Sequence, residues 1–155
     1  MSDAGLITVG SHWSFGETVG RCVAAIEAHG LSVFARVDHA KNAASVGMAL
    51  RPTELLIFGN PKGGTPLMQE NQVSGLDLPV RALVWQDAEA RVWLTYNDPR
   101  WLAARHGLGA PSQPALVAMT AGLAAIARDA TQRDVGGERG APASVRVLPT
   151  EPPNQ

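Results

Sequence analysis

Few residues in this 155-residue chain are of a type and spacing suited to chemistry. The densest polar group is Tyr96-Asn97-Asp98-Pro99. Tyr96 is the single tyrosine and stands at the end of an alternating strand, where a phenol facing an imidazole would make an acid–base pair. His39 is the histidine best placed to be that imidazole. It follows Asp38 in the first turn of a helix, where the dipole favours the neutral ring. Each residue also has a plainer reading. Asp98 before Pro99 is an N-cap with proline at the first helical position, Asn97 supports the turn, and His39 is a surface histidine. Spacing alone does not bring His39, Tyr96 and Asp98 together.

A second candidate is Ile57 to Met68, IFGNPKGGTPLM, which resembles a phosphate cradle. A P-loop needs G-x-x-x-x-G-K-[ST], with lysine directly after the last glycine so that its ammonium reaches the β- and γ-phosphates. Gly59 and Gly64 have that separation, but Lys62 lies between them and Thr65 follows Gly64 directly. The dinucleotide pattern G-x-G-x-x-G fails as well, because position 61 is proline. Pro61 and Pro66 also lack N–H groups that a cradle would use. The stretch reads better as a strand-to-helix joint, with Asn60 as cap, Pro61 at the first helical position, and Gly63-Gly64 allowing close backbone approach. One chemical reading survives: a helix N-terminus favours a small anion, and Lys62 adds charge. Asn60, Lys62, Gly63, Gly64 and Thr65 are therefore the expected ligand-binding residues.

Composition narrows the rest. His12, His29, His39 and His106 form no H-x₃₋₅-H or HExxH pair, and the lone Cys22 cannot complete a zinc set, so no metal is expected. No cofactor motif is present. His106 before Gly107 reads as a helix C-terminal histidine complementing the dipole. A single cysteine allows no internal disulfide. A formal charge of -1 gives no general attraction to nucleic acid or anionic membranes. The N-terminus lacks the basic and apolar regions of a signal peptide. No window approaches ~18 uninterrupted apolar residues, the mark of a spanning helix. The expectation is a bacterial-type cytoplasmic protein that binds neither membrane nor nucleic acid.

The elements that must position these residues are legible from caps and periodicity. Leu6 to Val9 is a first strand. Ser14-Phe15-Gly16-Glu17 is a capping box, followed by Val19, Cys22, Val23 and Ile26 at helical spacing and closed by Gly30. Leu31 to Val37 alternates as a half-buried strand, Asp38 caps a short helix, and Glu54 to Phe58 is an interior strand. After the joint, a short helix ends near Glu70, and the connector NQVSGLDLP follows. Val80 to Gln86 and Arg91 to Tyr96 form a hairpin, which puts Trp85 and Trp93 on one face. Asp98 starts a helix that Gly107 ends. Ser112 caps a last helix striped with Leu116, Met119, Leu123 and Ile126. From Thr131 onward the chain is rich in Gly, Pro and charge and reads as a disordered tail, residues 131–155, with Val145 to Leu148 the one piece able to dock. The domain is thus 1–130 and its class α+β, an antiparallel sheet with helices on one face.

RPTELLIFGNPKGGTPLMQ (Arg51 to Gln69), LDLPVRALVWQD (Leu76 to Asp87) and VWLTYNDPRWLAARHGL (Val92 to Leu108), with FARVDHAKNAASVGMALRPTELL upstream, resemble the DUF302 family, a domain of unknown function. The resemblance implies a β-α-β4-α fold with a curved sheet of the TBP-like kind, and homodimers. It implies no reaction. Three functional classes follow, the weakest being nucleic-acid binding suggested by the TBP-like shape, for which the strands offer mainly Arg36, Arg81 and Arg91. The first is a non-catalytic dimeric module that binds a small molecule, a small anion or a protein partner. The second is an enzyme whose cleft would join His39, Tyr96 and Asp98 to the Gly59–Thr65 loop.

Overall fold

The computed structural model describes residues 4–134. Five strands, β1 (Leu6–Gly10), β2 (Ser32–Asp38), β3 (Thr53–Gly59), β4 (Val80–Gln86) and β5 (Val92–Asn97), form one sheet in the order β1-β5-β4-β3-β2. Every neighbouring pair is antiparallel. The helices are α1 (Phe15–Ala28), α2 (His39–Ser45), α3 (Pro61–Glu70), α4 (Pro99–His106) and α5 (Gln113–Thr131). The expected α+β class with an antiparallel sheet is therefore what the chain forms.

Local chemistry explains the helix starts. Ser14 accepts from the Glu17 N–H while Glu17 reaches back to the Ser14 N–H, the reciprocal capping box. Asp38, Asn60 and Asp98 each accept a first-turn backbone N–H at 2.9 Å. Gly107 ends α4 in the left-handed region at φ 61°. The last helix departs from expectation. Ser112 stands at its N-cap position but makes no cap bond. Its hydroxyl instead donates to Glu70 at 2.6 Å, and Glu70 also accepts the Gly109 N–H. The end of α3 thus holds the start of α5.

The core lies between the sheet and the pair α1–α5. Leu56 and Phe58 of β3, Val84 of β4 and Leu94 of β5 meet Cys22 and Ile26 of α1 and Leu123 and Ile126 of α5. A smaller cluster joins Leu67 of α3, Leu102 of α4 and Leu116 of α5. The other sheet face carries the register row Thr8, Thr95, Leu83, Leu55 and Val37. Leu55, Leu83 and Val37 are only half-buried. Trp85 and Trp93 are cross-strand partners there, with ring centroids 6.2 Å apart, on one face as expected.

The boundary drawn after residue 130 cuts into a packed helix. Thr131 is the last residue of α5 and fully buried. The Trp13 indole donates to the Gln132 carbonyl at 2.9 Å, and Arg21 pairs with Asp134 at 2.6 Å. Residues 135–155, with the Val145–Leu148 piece, lie outside the described residues.

Candidate functional site

The Gly59–Thr65 joint lines a cavity of about 610 Å³, within the usual range for small-molecule sites. Three elements enclose it. Strand β3 delivers Gly59, and α3 follows through Asn60, Pro61, Lys62 and on to Met68. From α5 come Ala115, Ala118, Met119, Gly122 and Leu123. The remaining wall is His29, Leu31, Phe34, Leu78, Pro79 and Val80. The Glu70 contacts to Gly109 and Ser112 fix the distance between the α3 and α5 walls.

Phe34 was invisible as a site residue in the sequence. The β2–β3 register shifts between Val33 and Ala35, leaving Phe34 as an unpaired bulge residue. A Cβ placed on Gly59 would lie 3.8 Å from the Phe34 ring, so the bulge aims the ring over the end of β3. The signal that hints at this is Phe34 itself, an apolar residue in the alternate slots that Ser32 and Arg36 fill with polar side chains.

The joint itself differs from an anion cradle. The Lys62 N–H is bound by the Asn60 side chain at 2.9 Å. The Gly63 and Gly64 N–H groups bond the Asn60 carbonyl at 2.9 and 3.3 Å. The first-turn donors are therefore already engaged, and the positive group left for a ligand is the Lys62 ammonium. The two glycines do not serve close backbone approach, contrary to the sequence reading. A Cβ on Gly63 would meet nothing within 4 Å, and one on Gly64 would touch only Leu78 and Met68 at 3.7 and 3.9 Å. At Gly64 the missing side chain instead keeps the cavity wall low.

The acid–base group does not assemble. Arg36, Leu56, Ala82 and Tyr96 form one row across four strands, so Tyr96 sits about 14 Å from Arg36, three strand spacings away. His39 is three residues further along the chain, exposed on α2, a helix with no buried residue. Tyr96 is buried in the core, and burial together with nearby Asp98 pushes its phenol up. Asp98 is a cap whose carboxylate is forked by Arg100, a contact that outweighs burial and holds it below the ordinary range. None of the three lines the cavity.

Sequence reasoning also missed a buried ionic cluster. His106 bonds Asp77 at 2.5 Å, and both side chains are less than a tenth exposed. Arg105 donates to both Asp77 oxygens at 3.1 Å, and Arg81 stands at 3.8 Å. His106 thus ends α4 as expected, but its ring is a buried partner for Asp77 rather than a surface complement to the dipole. The cluster ties the turn Gln72–Asp77 to α4 and does not reach the cavity. Among the described residues no three His, Cys, Asp or Glu side chains gather as a metal set. Ala110–Thr131 is long and apolar enough to cross a membrane by length and composition, although Ser112, Gln113, Thr120, Arg128 and Asp129 interrupt its apolar run. Here its Leu116, Leu123, Ile126 and Ala127 pack into the domain.

A family model described as "Domain of unknown function DUF302" matches residues 7–126. Over 126 residues, 81% of this chain, the sequence is 51% identical to "Fluoride-specific ion channel FluC 1" of Brucella suis, covering 50% of that protein. The same identity holds to "Fluoride-specific ion channel FluC 2" of Brucella melitensis, covering 47% of it. The chain therefore spans about half the length of the curated relatives it matches. The fold is similar to the crystal structure of an uncharacterized conserved DUF302 protein from Bacillus stearothermophilus, at TM-score 0.73 and 19% identity, covering 81% of this chain and 98% of that one.

Proposed function

The chain belongs to the DUF302 family, and we propose that it is a non-catalytic module that binds a small molecule in the cavity between α3 and α5 and works as a homodimer. The observation that carries this reading is the cavity itself. About 610 Å³ of space is walled by Phe34, Met68, Leu78, Met119 and Leu123, with His29, Asn60, Lys62 and Thr65 the few polar side chains beside them. Small-molecule sites have this make-up, apolar walls with a few polar groups to orient the ligand. Among the described residues the ionisable groups lining it are His29 and Lys62, with no carboxylate beside them in the wall, and binding without chemistry is the simpler role. The open sheet face, with half-buried Leu55, Leu83 and Val37 beside the tryptophan pair, supports a second copy as its partner.

Fluoride conduction belongs to the longer relatives by name, and we do not carry it to this chain. The one described helix of spanning length packs Leu123 and Ile126 into the core and leaves most of its remaining surface exposed.

Native mass spectrometry of the purified protein tests the binding role. Gly122 lines the cavity, and a Cβ added there meets nothing within 4 Å, so Gly122→Leu fills the cavity while favouring the helix. Wild-type protein should carry, or take up from a metabolite extract, a small molecule that Gly122→Leu does not retain. Equal retention by both would remove the cavity from the account.

A further inference from the structure

The polarity of the cavity narrows its ligand, an inference that rests on the binding role proposed above. Among the described residues no Asp or Glu lines the cavity, and the two ionisable ones that do are His29 and Lys62. His29 stands 3.6 Å from Asp129. Lys62 is exposed at the start of α3, and among the described residues no carboxylate lies within ion-pair distance of it. The backbone donors beside it are engaged by Asn60, so a small, fully hydrated anion would find one ammonium and little else. The rest of the wall is thioether, aromatic and aliphatic, a surface that gains only from burying hydrocarbon.

We infer that the cavity takes a single-chain amphiphile with an anionic head group, its head at the Lys62 ammonium beside Asn60 and Thr65 and its chain along Phe34, Met68, Met119 and Leu123. The arrangement divides the work physically. The chain supplies affinity in proportion to its length. The lysine supplies the choice of head group, since a lysine on a flexible stem reaches a carboxylate or similar group as a point charge.

Calorimetric titration below micelle concentrations, with decanoate, decanol and decylamine as probes, tests this on the full chain. Decanoate should bind about three- to ten-fold tighter than decanol, and decylamine weaker than both. Octanoate should bind about ten-fold weaker than decanoate, two methylenes fewer. Lys62→Gln should abolish the preference for decanoate while leaving decanol affinity unchanged, and the exposed position of Lys62 keeps the variant folded. Equal binding of decanoate and decanol, or a preference that survives in Lys62→Gln, would overturn the head-group assignment while the binding role stands. Failure of all three probes would sink both.

Discussion

At the residue scale, the groups that look most reactive are the ones the fold has taken out of chemistry. Cys22 is buried in the core, and burial pushes its thiol up to about 12. Because the thiolate is the reactive form, native protein at pH 8 should resist a disulfide labelling reagent over minutes that suffice for the unfolded chain; rapid labelling of the native protein would contradict the packing of α1. Asp77 is the harder-working carboxylate. It is buried and holds His106 and Arg105 at once. The arginine partners are partly exposed while His106 is buried, so Asp77→Ala, which leaves His106 without its buried partner, should lower chemical-denaturation stability by about 1–3 kcal/mol. A loss under 1 kcal/mol would mean the cluster is solvated. Glycine choice is equally specific where the backbone demands it. Gly5 adopts φ +73°, and a Cβ there would fall 2.2 Å from the Trp101 ring.

Among the elements, the β4–β5 hairpin shows how a short loop is held. One oxygen of Asp87 accepts the Glu89 and Arg91 N–H groups, and the other accepts from the Arg91 guanidinium and the Trp93 indole. Burial alone pushes the Asp87 carboxyl up, but these donors outweigh it and leave it below the ordinary value. A folded value below the unfolded ~3.9 means the contribution is present above that pH and lost as pH falls through the folded value. The stability advantage of wild type over Asp87→Asn should therefore hold near pH 6 and shrink from about pH 4 downward, as thermal melts across pH would read; an advantage that grows in acid would reverse the sign. This loop also shows what the sequence makes legible. Asp87 to Ala90 is readable as a hairpin, and Ser14, Asn60 and Asp98 as caps, because each acts within four residues of itself. Glu70 to Ser112, Asp77 to His106 and Trp13 to Gln132 are not readable, because these partners are 29 to 119 residues apart in sequence. The candidate site divides in the same way. Lys62 and its neighbours are visible as a joint between strand and helix, whereas the wall from α5 and the bulged Phe34 depends on how the elements pack. Whether His39 and Tyr96 meet is not readable for the same reason, and the strand order sets them apart.

At the scale of the whole molecule, one sheet face is spent on the core and the other is half open among the described residues. The row Val37, Leu55, Leu83 and Thr95 beside Trp85 is the surface that the proposed second copy would cover. Sedimentation at micromolar concentration should show a dimer, and Leu83→Glu should shift it to monomer without unfolding. A wild-type monomer would remove the dimer from the account. The cavity sits at the helix-covered side and edge of the domain, formed by α3 and α5 together with the ends of β3 and β4, so ligand and partner need not compete. Ligand bound only to the folded chain stabilises it by about 2.7 kcal/mol at a hundred times its dissociation constant. The most direct measurement is thus the melting temperature of wild type and Gly122→Leu across a panel of apolar and amphiphilic small molecules. At least one compound should raise the wild-type value by about 5 °C or more and leave Gly122→Leu unmoved; a flat panel, or equal shifts in both proteins, would contradict a ligand site in this cavity.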